Sequence, residues 1–125
     1  MSITAFLLTL GLGVTAVIHL LPLLGLRSAA QLERLYGLTL TDDDLVLLMR
    51  HRALLFGLLG ALCLAAIVRP ELVPAALIGG WISVTDFLGL AGAGSRRRTE
   101  IRRVIRADWI AVLALTLATG AWLAG

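Results

Sequence analysis

Four apolar stretches, each about as long as a bilayer crossing, leave this chain little freedom to be anything but a helical membrane protein. They run over residues 3–26, 45–68, 73–91 and 101–123 of the 125-residue sequence. About 20 residues of helix cross roughly 30 Å of hydrocarbon. Backbone N–H and C=O groups find no water in lipid, so only helices and closed barrels span it. The apolar runs here are continuous rather than alternating, which selects the helix. Hydrophobic residues make up 59% of the chain and the mean hydropathy is +0.96, above globular usage. The spans consume most of the sequence, so residues 1–125 are expected to form a single transmembrane domain with no soluble module. The expected fold is all-α, an up-down bundle of four transmembrane helices joined by short loops. The first span lacks a basic start and is too long for the apolar part of a signal peptide, so it reads as a retained helix.

Arginine placement predicts the orientation. All eleven basic residues are arginines. Arg96, Arg97, Arg98, Arg102, Arg103 and Arg106 crowd the third connection. Arg27 and Arg34 lie in the first, and Arg50 and Arg52 open the second span. The second connection holds only Arg69. The positive-inside rule then puts loops 27–44 and 92–100 in the cytoplasm and both termini outside. Orientation accounts for the formal charge of +3 without a nucleic-acid partner, and the same cluster attracts the headgroups of anionic membrane lipids.

Helix ends are marked as well. Thr41-Asp42-Asp43-Asp44 predicts an N-cap and an acidic first turn for the second long helix. Pro74 suits the first turn of the third. Pro22 is expected to bend the end of the first. Ser28 to Tyr36 reads as a short interfacial helix in the first loop, stopped by Gly37. Cys63 stands alone in mid-span, where it forms no internal disulfide and serves as a small packing residue.

His19, His51, Asp86 and Asp108 fall on four different spans, each roughly 8–11 Å inside the same face at about 1.5 Å per residue. Ionisable groups are costly in hydrocarbon, so matched depth predicts a shared polar site. Ala75, Ala76, Gly79 and Ser83 share a helical face with Asp86, which predicts that Asp86 turns inward. Arg50 shares a face with Ala53, Gly57 and Ala61 and is expected inward too. His51 lies about 100° round from it, and Arg52 a further 100° on, where it can snorkel to the interface. His19 stacks over Leu12, Thr15 and Ala16, and Asp108 over Ala111, Val112 and Leu115. The expected ligand-binding set is His19, Arg50, His51, Arg52, Asp86 and Asp108.

The run Ile18-His19-Leu20-Leu21-Pro22, then Leu35-Tyr36-Gly37, then Leu48 to Gly60 with Arg50-His51-Arg52, resembles a family of small bacterial four-helix integral membrane proteins. Arg102-Arg103-Val104 and Ala107-Asp108 extend the resemblance over nearly the whole chain. Members of that family often carry the label phosphopantetheine adenylyltransferase. The soluble enzyme of that name is an α/β nucleotidyltransferase with a strand-borne Thr-x-Gly-His motif, which this sequence lacks, so the label does not transfer. The resemblance implies the four-helix fold and a bacterial cytoplasmic (inner) membrane, and no established activity or catalytic residue.

Several functions stay open for the polar site. Arginines beside histidines suit the phosphate or carboxylate of a lipid or an anionic amphiphilic small molecule. A His–Asp pair would serve a membrane isomerase or hydrolase as acid and base. His19 and His51 could ligate a b-type haem, and His19, His51, Asp86 and Asp108 are metal candidates for a divalent ion. A purely structural hydrogen-bonded network would need no ligand. Transport fits less well: the arginine bias is too lopsided for dual insertion, and the first span has no acidic residue. Gly57-x-x-Gly60 and Gly79-Gly80 offer close-approach surfaces within one bundle or between copies, which leaves a homo-oligomer open.

Overall fold

The computed structural model describes residues 1–92 and 97–125. Ser95 and Arg96, which open the basic tract, lie outside the described residues. Helix α1 spans Ile3–Leu20 and continues as a 3₁₀ segment, Leu21–Leu26. The change falls where Pro22 has no N–H to offer the helical ladder. A short α2, Ala29–Tyr36, follows, then α3 over Asp43–Val68. A 3₁₀ turn, Pro70–Leu72, leads into α4, Val73–Ala91, and α5 covers Thr99–Ala124. The chain is an all-α bundle in which four helical spans, Ile3–Leu26, Asp43–Val68, Pro70–Ala91 and Thr99–Ala124, are long and apolar enough to cross a membrane.

Local chemistry sets several of these bounds. The Ser2 hydroxyl accepts from the Ala5 N–H at 3.1 Å, and the Asp42 carboxylate from the Asp44 N–H at 2.9 Å. The Ser28 hydroxyl accepts from the Gln31 N–H at 3.3 Å. Each occupies a donor left free in a first helical turn. Gly37 ends α2 in the left-handed region at φ +65°, which glycine adopts without penalty. Its carbonyl accepts from the Arg98 guanidinium at 2.9 Å. The Glu100 side chain covers the place a Cβ would take, so the start of α5 clasps the end of α2.

The four long helices alternate in direction and form a ring in the order α1, α3, α4, α5, closed by α1 against α5. Small residues let the backbones approach. Gly11 of α1 faces the Ala114 carbonyl and Ala118 of α5. Gly57 and Gly60 of α3 face Leu23 and Leu20, so that pair is engaged inside the bundle. Gly79 meets Leu59 of α3, and Gly80 meets Leu115 of α5. The Trp81 indole N–H donates to the Thr119 hydroxyl at 3.1 Å and ties α4 to α5. The core is built of Leu12, Ala16, Cys63, Val84, Ala111, Leu115 and Ala118.

Large apolar side chains point the other way. Leu54, Leu58, Ile78, Ile82, Leu113 and Leu117 are all exposed. Small residues inside and a greasy exterior are what a bundle solvated by lipid requires. The chain is a multi-pass membrane protein. A second apolar cluster, Leu32, Tyr36 and Leu40 with Val46, Met49, Ile101 and Val104, seats α2 across one end of the ring.

Candidate functional site

Beneath α2 the ring is not filled. A cavity of about 280 Å³ lies there, walled by every one of the five helices. Ile18 and His19 come from α1, Leu35 and Tyr36 from α2, Arg52 and Phe56 from α3, Phe87 from α4, and Val104, Ala107 and Asp108 from α5. Leu21, Pro22, Arg34, Glu100 and Arg103 complete its lining, and Arg34 and Arg103 are exposed, placing the charged rim at the bundle end.

His19 is buried in the last turn of α1. Its Nδ1 lies 2.8 Å from the Thr15 carbonyl, which can only accept. Nδ1 therefore carries the proton. Nε2 lies 3.0 Å from the Ser83 hydroxyl of α4, and in the neutral ring it accepts the Ser83 proton. The ring also stands 5.5 Å from that of Phe56. The histidine is thus held in one tautomer and one orientation by α1 and α4 together.

Arg52 projects among three rings. Its guanidinium carbon lies 4.8 Å from the Phe56 centroid, 5.4 Å from Tyr36 and 5.6 Å from Phe87. Stacking on aromatic faces suits a planar, weakly hydrated cation. One of its five N–H donors is used within the described residues, on the Tyr36 hydroxyl at 3.1 Å. Arg69–Glu71, at the opposite end of the bundle, is the one ion pair among those residues, so no carboxylate contacts Arg52. Asp108 is 6% exposed, lines the same cavity and has no hydrogen-bond partner among the described side chains. No fully enclosed side-chain N or O atom there lacks a partner, so the free donors of Arg52 and the Asp108 carboxyl retain access to open space.

Of the six residues singled out in the sequence, the structure brings together His19, Arg52 and Asp108. Arg50, His51 and Asp86 are exposed and stand outside this cavity. The inward orientation expected for Arg50 and Asp86 is corrected by the packing. Buried positions on α3 run Ala53, Gly57, Gly60, Cys63, Ala66. Ala53 is the first buried residue of α3, so Arg50, one turn earlier on much the same face, lies beyond the packed part of the helix. On α4 the buried positions are Val73, Ala76, Leu77, Gly80 and Val84, which turns the face containing Asp86 outward. The four-group convergence is therefore not formed. Among the described residues no three His, Cys, Asp or Glu side chains gather as a metal set, and His51 cannot pair with His19 across the cavity as a second haem ligand.

Tyr36, Phe56 and Phe87 are the site residues that the sequence reading passed over. Phe56 was legible, because it stands four residues after Arg52 and shares its face. The chain matches no protein-family model, no curated protein and no solved structure.

Proposed function

We propose that this is a membrane protein that binds an anionic amphiphile, a lipid or an acidic small molecule, in the cavity beneath α2. The observation that carries the reading is Arg52. It is a cation set among three rings, with most of its donors free and no carboxylate in contact among the described residues. Where water is scarce, such a group favours phosphate or carboxylate, which it can bind bidentately. Arg34 and Arg103 add positive charge at the rim. The fixed His19 and Asp108, which has no hydrogen-bond partner among the described residues, are polar partners for the rest of a headgroup, and the surrounding Leu35, Phe56 and Val104 suit apolar matter.

Native mass spectrometry of protein released from lipid nanodiscs tests this. Wild type and Arg50→Ala should retain an anionic lipid or metabolite that Arg52→Ala loses while staying folded. If wild type carries nothing, or both arginine variants lose it equally, the cavity is not the binding site.

The arginine asymmetry supports both termini outside and the α2 end cytoplasmic, while the bacterial inner-membrane setting rests on the sequence resemblance alone. In a Cys63→Ala background, Thr99→Cys should resist an external membrane-impermeant maleimide and Glu71→Cys should react. The reverse pattern would invert the topology.

A further inference from the structure

A second hollow of about 200 Å³ lies between α3 and α4, lined by Arg52, Leu55, Phe56, Leu59 and Ser83. It shares Arg52 and Phe56 with the cavity beneath α2, so these two residues border both hollows. Both are lined largely by apolar side chains, but their polar groups differ. The first holds the cationic and polar groups already described. The second is apolar apart from Arg52 at its edge, because the Ser83 hydroxyl is committed to His19.

The seam has a defined shape. One turn farther from α2 the helices touch, where a Cβ on Gly79 would come within 2.9 Å of Leu59 Cδ1. Toward α2 they part around the small Ser83, and Leu55 there is half exposed on the membrane-facing side. The hollow is thus closed at one end by Leu59, open to the bilayer past Leu55, and bounded at the other end by Arg52. The main cavity, at about 280 Å³, is at the small end of ligand sites. It has room for a headgroup and the first carbons of a chain, but too little for a long hydrocarbon chain as well.

We infer that the ligand is a long-chain amphiphile with one acidic headgroup, bound with the headgroup at Arg52 in the cavity and its single hydrocarbon chain lying in the α3–α4 seam and out into the bilayer. This rests on the cavity being the headgroup site. Charge complementarity fixes the direction: the arginine sits at the inner end of an otherwise apolar path. The ligand reaches the site sideways from the membrane, with Phe56 and Arg52 as the side chains it must pass. A water-soluble anion would use the rim at Arg34 and Arg103 and would have no need of the seam.

The test uses two probes with the full-length protein in neutral phosphatidylcholine nanodiscs, dodecyl phosphate and methyl phosphate, with binding read by native mass spectrometry. Wild type should bind both. Leu55→Trp plugs the seam at a residue already half exposed to lipid. It should weaken dodecyl phosphate by about tenfold or more, the scale of losing a few methylene contacts, and leave methyl phosphate unchanged. Leu113→Trp, of equal bulk on the lipid-facing side of α5, should change neither. Dodecyl phosphate binding that ignores Leu55→Trp, or that falls equally in Leu113→Trp, overturns the seam while leaving the headgroup site standing. Failure of both probes to bind wild type, or binding of both unaffected by Arg52→Ala, overturns the headgroup site itself.

Discussion

Replacing Gly11 with alanine should destabilise the bundle although alanine is the better helix former. A Cβ at that position would meet the Ala114 carbonyl oxygen and lie 2.8 Å from the Ala118 Cβ. Carbon pairs settle at about 3.5–4.0 Å, so α1 and α5 must separate by roughly 1 Å. The obstacle is backbone and methyl, with no flexible side chain to swing aside. Overpacking of this kind costs about 1–3 kcal/mol. The gain in helix propensity offsets up to about 1 kcal/mol of that. Gly13→Ala provides the internal reference, because Gly13 has nothing within 4 Å of its would-be Cβ. Both variants receive the propensity gain, so their difference isolates the steric cost. That difference should be about 1–3 kcal/mol, roughly 5- to 150-fold in the unfolding equilibrium. Reversible unfolding of micelle-bound protein by sodium dodecyl sulfate, followed by circular dichroism, measures it directly. Equal midpoints for Gly11→Ala and Gly13→Ala would refute the close α1–α5 contact and the ring it closes.

Ser83→Ala removes the hydroxyl that lies against His19 Nε2. It should cost about 0.6 kcal/mol and move the His19 Nε2 resonance in ¹⁵N spectra while Nδ1–H stays put, so an unmoved Nε2 would show that the bond is not made. Gly37→Ala should cost about 1–2 kcal/mol for the left-handed backbone, plus the displacement of Glu100 from the covering position. The double variant Gly37→Ala/Glu100→Ala should recover only the second part, and full recovery in denaturation would refute the backbone strain. Arg52→Lys keeps the charge but loses the planar fork and its stack, so the same unfolding assay should show a loss of about 0.5–1 kcal/mol. Wild-type stability would mean the three rings do not hold the guanidinium.

The spans could be read from sequence because lipid imposes one rule on every residue of a crossing: apolar side chain, internally bonded backbone. The α2 helix was legible for a different reason, since Ser28 and Gly37 are strong local signals at its two ends. Counting residues placed His19, His51, Asp86 and Asp108 at one depth, and two of them, His19 and Asp108, line one cavity. Rotation was not legible. Arg50, His51 and Arg52 are consecutive and fan out by about 100° each. Only contact with α1 and α4 decides which of the three meets the cavity. The small residues Ala53 and Gly57 pointed to the inner face of α3, but where along the helix the packing begins, at Ala53 rather than a turn earlier at Arg50, depends on its neighbours. Asp86 failed for a different reason: on α4 small residues occur on more than one side, so size alone did not choose a face. Tyr36 and Phe87 meet Arg52 only through tertiary packing, and no sequence spacing relates them.

The closure of the ring by α1 against α5 has a consequence for biogenesis. The first helix made has α3 as an early neighbour but must wait for the last helix before its second neighbour exists. Until Thr99–Ala124 has been synthesised, the face of α1 that carries Gly11, Thr15 and His19 has only part of its final surroundings. Contacts of such long sequence separation form late, and incompletely docked segments are where misassembly begins. The polar groups on that face find partners sooner, Thr15 on the Gly11 carbonyl and His19 on the Thr15 carbonyl and Ser83 of α4, so what waits for the last helix is the small-residue surface around Gly11.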